Sequence, residues 1–142
     1  MTQTRVAKLT NVIRHQVPFF EVDAIQMVWH GNYVKYLELG REAFGRQFGL
    51  AYMRIFENGY VVPVVDLHLS YKKNARLDDV LRIETTYVPT EAAKLMFEYA
   101  VYRDSDNELI LTASSTQLFV TNEGEFELST PEFIRQWRAQ WL

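Results

Sequence analysis

The chain of 142 residues contains no cysteine. Disulfides, thiol chemistry and zinc–cysteine sites are therefore excluded. A reducing compartment such as the cytoplasm fits that absence. Glycine is sparse, with six scattered residues and no phosphate-cradling loop among them. There is no Gly-x-Ser-x-Gly elbow, which disfavours a serine hydrolase of the α/β class. The longest apolar run, residues 60–65, is far too short to span a bilayer and contains Pro63. The first sixteen residues lack the apolar centre of a signal peptide. Positive charge is not in excess: 15 Lys and Arg stand against 18 Asp and Glu, a net charge of -3. That argues against a dedicated nucleic-acid binder. Repeats and low-complexity tracts are also missing.

What remains is near the globular average, with 48% hydrophobic and 23% charged residues, so one domain over residues 1–142 with a sizeable core is expected. Residues 1–10 read as a loose start. Residues 12–22 alternate imperfectly and read as a first strand, limited in its pairing by Pro18. At Asn32 the period changes. Tyr33, Tyr36, Leu37, Gly40, Phe44 and Phe48 recur at helical spacing, Asn32 is the expected N-cap, and Gly49 the expected left-handed terminus. Gly40 costs such a helix about 1 kcal/mol relative to Ala, which points to close approach of a sheet. A short helix or turn is expected over residues 50–58. Residues 61–73, 80–88, 94–103 and 109–121 then alternate with period two and read as strands, the last two as a hairpin. Thr130 and Pro131 announce a terminal helix carrying Trp137 and Trp141 on one face. The layout is α+β: an antiparallel sheet of about five strands wrapped around one long helix.

The stretch FEVDAIQMVWHGNYVKYLELGR, residues 20–41, is where chemistry concentrates. Asp23, an acid in apolar surroundings, lies seven residues before His30, and Gly31 and Asn32 open the long helix. A helix start offers unpaired N–H groups and the positive end of the macrodipole. An acid facing it has the parts that hydrolysis of an activated acyl group needs: a nucleophile or base, and donors for the oxyanion. Asp23 could equally close a strand or cap a turn, and His30 could simply pack at the helix start. Tyr33 and Tyr36 fit core packing, with Tyr33 an alternative wall of an acyl pocket. Glu38 and Arg41, at i and i+3, can pair with each other. Lys72, Lys73 and Arg76 form a basic cluster at a strand end, with Lys94 beginning the next strand but one. His15 and His68 fall on separate strands, so no metal pair is expected.

The order of elements resembles the hotdog fold. The residues Asp23, Val28, His30, Tyr33, Glu38 and Arg41 resemble the acyl-CoA thioesterase family that includes the 4-hydroxybenzoyl-CoA thioesterases. The stretch VDLHLSYKKNARLDDVLRIET, residues 65–85, is similar to that family's strand ending in a basic turn and an aspartate. The resemblance implies a cofactor-free thioester hydrolase. Asp23 and His30 would be catalytic, and amides from Val28 to Tyr33 would polarise the carbonyl. Gln26, Val28, Gly31 and Tyr33 would line the thioester, and Lys72, Lys73, Arg76 and Lys94 would meet the phosphates of CoA or phosphopantetheine. It also implies a homodimer or homotetramer with a site shared between subunits. The family usually has glycine where this chain has Gln26 and proline where it has Asn74. The form D-x-x-Q-x-V-W-H-G-N-Y resembles a branch associated with aryl-polyene or fatty-acid-like assembly, which adds acyl carrier protein thioesters to the expected substrates. A non-catalytic acyl-binding subunit and a hotdog dehydratase are the alternatives. The second lacks its His-Phe-Pro-type turn here.

Overall fold

The computed structural model describes residues 9–142. Of the loose start expected over residues 1–10, residues 1–8 lie outside them, and Thr10 already belongs to the first strand. Ten elements follow: β1 (Thr10–Gln16), α1 (Asn32–Phe48), α2 (Tyr52–Glu57), β2 (Tyr60–Val61), β3 (Val64–Tyr71), β4 (Val80–Val88), β5 (Lys94–Arg103), β6 (Glu108–Leu118), β7 (Val120–Thr121) and α3 (Glu132–Trp141). Five strands form one antiparallel sheet in the order β1-β4-β5-β6-β3, and β2 pairs with β7 in a separate ribbon. This is the hotdog fold, with α1 packed on one sheet face.

Strict alternation sets which sheet face is inside. Leu81, Ile83, Thr85 and Tyr87 of β4 point inward, as do Leu95, Phe97, Tyr99 and Val101 of β5, and all eight are buried. Helical periodicity turns Tyr33, Tyr36, Leu37, Gly40, Phe44 and Phe48 of α1 onto that face. A Cβ on Gly40 would stand 2.3 Å from Thr85 Oγ1, so the missing side chain sets how closely helix and sheet meet. The edge strand β3 is the exception to burial: every residue except Leu69 is exposed.

Several boundaries differ from expectation. The first strand stops at Gln16, because Pro18 starts a 3₁₀ turn over Phe19–Glu21. Residues 61–73 are not one strand: the chain breaks at Val62 and Pro63, since proline cannot donate to a ladder. Residues 109–121 break likewise at Phe119, whose ring turns into the core. Asn32 is not the N-cap but the first helical residue, after Gly31. Thr130 does not cap α3 either. Pro131 occupies that place, and the Thr130 hydroxyl donates to Glu91 O.

Candidate active site

Asp23 sits at the first position of a tight hairpin. Val22 and Val28 form an antiparallel bridge. The Asp23 N–H donates to Met27 O at 2.8 Å, and the Gln26 N–H returns to Asp23 O at 3.0 Å. The turn closes with Gln26 in the left-handed region, φ 64°. This is where a three-residue hairpin loop needs such a residue, and where glycine is the cheapest choice. Gln26 therefore preserves the backbone path at the cost of local strain. One Asp23 oxygen, Oδ1, accepts the N–H groups of Ile25 at 3.0 Å and Met27 at 3.2 Å. No partner for Oδ2 exists among the described residues, and the residue is exposed. The acid expected to be partly buried thus stands in the open, aimed by two amides.

The hairpin is laced to the loop before β4. Met27 bridges Arg76, Val28 N–H donates to Ala75 O at 2.9 Å, and Leu77 N–H to Gln26 O at 3.1 Å. The Ala75 N–H in turn donates to the Tyr33 hydroxyl at 3.0 Å. Tyr33 is buried, and its burial pushes the phenol up from its ordinary value. It supports this loop and is not exposed as a pocket wall. Val28 is also buried, and its amide is spent on Ala75, which removes it from the oxyanion donors.

The chain then enters α1. Trp29 N–H donates to Glu21 O at 3.1 Å, and Asn32 Nδ2 donates to the same oxygen at 2.8 Å. The Asn32 N–H is used by Trp29 O at 2.9 Å. The N–H groups of His30, Gly31 and Tyr33 have no acceptor among the described residues. These are the orphan donors of the helix start, where the dipole favours developing negative charge. His30 is exposed, and its carbonyl accepts the Tyr71 hydroxyl at 3.2 Å. The Trp29 indole lies over Gly31, where a Cβ would meet its ring at 2.1 Å.

Beneath the hairpin lies a polar cluster that the sequence did not announce. Glu21 Oε1 accepts the Tyr36 hydroxyl at 2.8 Å and stands 2.8 Å from His15 Nε2. The rings of His15 and Tyr36 are 4.9 Å apart. In the sequence Glu21 falls inside residues 12–22, the stretch read as the first strand. The one available signal was a tyrosine on the apolar helix face, whose hydroxyl needs a partner when buried.

The basic cluster divides. Arg76 is exposed beside the hairpin, bridged to Met27, while Lys72 is exposed at the end of β3, its N–H on Ile110 O, and Lys73 lies 3.9 Å from Glu108. Lys94 does not join them. Residues 74–79 sit at the Arg103 end of β5, where Arg103 donates to Asn74 O and Asp79. Lys94 begins the same strand at its other end, roughly 30 Å away at the rise of an extended chain.

A cleft of about 510 Å³ opens elsewhere, between α1, α2, the β2–β3 link and β5. Leu39, Phe44, Ile55 and Phe97 give it an apolar lining, with Arg41 and Gln117 as polar members. Arg41 is tied to Glu38 and, at 3.1 Å, to the Tyr99 hydroxyl. None of Asp23, Gln26, His30 and Gly31 lines this cleft. Edge strand β3 connects the two places: Tyr71 at one end touches His30, and Val64 at the other end lines the cleft.

Comparison with known proteins shows the family. The family model described as the thioesterase-like superfamily matches residues 17–138. The YneP protein of Bacillus subtilis is 30% identical over 108 residues, covering 76% of this chain and 78% of its own. The 4-hydroxybenzoyl-CoA thioesterase of Pseudomonas sp. strain CBS-3 is 28% identical over 119 residues, covering 80% of this chain and 84% of its own. Among solved structures, the TT1821 protein of Thermus thermophilus superposes with a TM-score of 0.81 at 28% identity, covering 92% of this chain and 98% of the other. With the match spanning strand β4, helix α1 and the Asp23 hairpin alike, the chain belongs to the thioesterase-like superfamily.

Proposed function

We propose that this thioester hydrolase acts on acyl-CoA, with Asp23 as the reacting carboxylate and the amides of His30, Gly31 and Tyr33 as the oxyanion donors. The observation that carries the reading is the state of the carboxylate. Oδ1 is held by two amides while Oδ2 has no partner among the described residues and the residue is exposed, one hairpin away from a helix start with unspent donors. Such donors stabilise the charge that builds on a thioester oxygen when it is attacked. Asp23 either attacks the carbonyl, giving an acyl-enzyme anhydride, or takes a proton from an attacking water. In the first route the thiolate leaves as the anhydride forms and water then hydrolyses the anhydride; in the second the water oxygen displaces the thiolate directly, and both release the free acid. Single-turnover hydrolysis in oxygen-labelled water separates them, because label reaching the Asp23 carboxylate requires the anhydride.

The acyl cleft and the acid lie apart within one chain, and the exposure of β3 supplies a reason. Two copies pairing their β3 edges antiparallel about a two-fold axis bring the Tyr71 end of one strand toward the Val64 end of the other. The Asp23 site of one protomer then meets the apolar cleft of its partner. The exposed inner-face residues Val65 and Leu67 would be covered in the same step. The working unit is therefore a homodimer or a higher assembly built from it. Lys72 and Arg76 would meet the phosphates of CoA, and a phosphopantetheine arm on a carrier protein presents the same chemistry. The test is thiol release from a panel of acyl-CoAs by the wild type and Asp23→Asn, with sedimentation at micromolar protein. Equal rates for the two proteins would remove Asp23 from the chemistry, and a monomer would remove the shared site.

A further inference from the structure

We propose that Glu21 is a positioning residue for the hydrolytic site, acting through Asp23. The inference rests on the Asp23 reading above and concerns a residue outside the reacting atoms. Four contacts converge on Glu21 from three separate parts of the fold. Its carboxylate accepts the Tyr36 hydroxyl from the second turn of α1 at 2.8 Å and meets His15 of β1 at 2.8 Å. Its carbonyl takes the Trp29 N–H at 3.1 Å and the Asn32 side chain at 2.8 Å, both at the mouth of α1. Its side chain is only 12% exposed, so an unpaired carboxylate there would be costly, and the bonds are tightly enforced. Burial, and then the neighbouring carboxylate, push the Tyr36 phenol well up, so it stays a donor throughout the working pH range.

The position in the chain gives these contacts their consequence. Glu21 is the last residue of the 3₁₀ turn and immediately precedes Val22, the strand root of the Asp23 hairpin. The hairpin tip is exposed and carries a strained residue at Gln26; the loop before β4 holds one of its sides and Glu21 holds its root. The same residue that anchors the root also binds the first helical turn that bears the orphan amides. Glu21 therefore fixes the relation between the acid and the donors, and it adds no group that touches the substrate. Misplacement of a reacting group by about 1 Å can lower a rate about 100-fold.

The experiment compares Glu21→Ala, Glu21→Gln and Tyr36→Phe, alone and with Asp23→Asn. Glu21→Ala is expected to lower kcat about 10- to 100-fold with KM little changed. Glu21→Gln keeps an acceptor for Tyr36 and a polar partner for His15, and is expected to recover most of the loss. Combined with Asp23→Asn, the alanine change should add nothing to the residual rate, because the two act through one group. A folded Glu21→Ala enzyme with wild-type kcat would overturn the proposal. So would full additivity with Asp23→Asn. Amide exchange gives a readout independent of turnover. The Ile25 and Met27 N–H groups, both bonded to Asp23, should exchange about 10-fold faster in Glu21→Ala while β4 and β5 stay protected. Unchanged exchange at those amides would sink the positioning role even if every variant were active. If Asp23→Asn itself kept full activity, the catalytic reading would fail, and the exchange result would still decide for or against the anchoring. Should Glu21→Ala not fold, Tyr36→Phe breaks one of the two carboxylate contacts and carries the same test at smaller amplitude.

Discussion

The two ends of helix α1 are built from similar residues and treated in opposite ways. At its C-terminus the backbone is closed off by neighbouring donors. Gly49 turns left-handed at φ 74° and its N–H returns to Gly45 O. Leu50 N–H reaches the same oxygen at 2.8 Å, and the Trp137 indole donates to Phe48 O at 2.6 Å. Phe44, Phe97, Tyr87 and Trp137 interlock there, with ring centroids 5.1, 5.8 and 5.0 Å apart along that chain. At the N-terminus the amides of His30, Gly31 and Tyr33 have no acceptor among the described residues, and Ile25 and Trp29 stand 66% and 53% exposed. A buried helix end must satisfy its own backbone, because an unpaired group there costs about 1–3 kcal/mol. An end left unsatisfied must face water or a ligand. The contrast locates stability at one end of the helix and, on the proposed reading, chemistry at the other.

If that division holds, changes at the two ends should separate activity from stability. The largest effect is expected from Asp23→Asn: thiol release falls about 100- to 10,000-fold while the unfolding midpoint stays near that of the wild type. Kinetics and thermal melts on one preparation would check both halves, and a strong loss of stability would break the contrast. Phe44→Ala, at the closed end, should destabilise by about 3–5 kcal/mol, read from urea unfolding. Next comes Trp137→Phe, which deletes the donor to Phe48 O and should cost about 1–2 kcal/mol with kcat per folded molecule unchanged. A fall in kcat there would show that the ends are coupled. Gln26→Gly relieves the left-handed strain in the open hairpin and should stabilise by about 0.5–1 kcal/mol.

The smallest effect lies away from both ends. Asp104 is held below its ordinary value of 3.8 first by Arg14 and then by Arg82, at 3.0 and 3.1 Å. A carboxylate lowered on folding contributes stability that is present above its unfolded value and is lost as pH falls through the folded one. Stability should therefore decline below about pH 3.8, and Asp104→Asn should remove that part of the decline. Urea midpoints followed downward from about pH 6 would reveal it as a shallower acid limb.

Much of this was readable from residues alone. Period-two alternation placed β4 and β5 at their observed bounds, because each strand has one buried face and a slip would expose it. Gly40 announced a close helix–sheet contact and Gly49 a helix end, since each answers a local steric demand. Asp23 and His30 were legible as a spacing ahead of a helix start. The Glu21 cluster was not, because His15, Glu21 and Tyr36 meet only after β1 and α1 are packed together. Lys94 looked like a neighbour of Lys72 and Arg76 because spacing along a chain carries no record of which end of a strand faces which loop.

What the sequence determined by itself is the alternation of faces, the helix bounded by an acid and a glycine, and the family to which both belong. These follow from short-range rules of sterics and burial that act over a few residues. Which amides stay unspent, which oxygen of Asp23 is free, and how far the apolar cleft lies from it were decided only in three dimensions. Each of those depends on hydrogen-bond partners supplied by distant segments, such as Ala75 for Val28, Glu21 for Trp29 and Trp137 for Phe48. A backbone group is spent or free according to what the fold brings to it, and no local pattern encodes that.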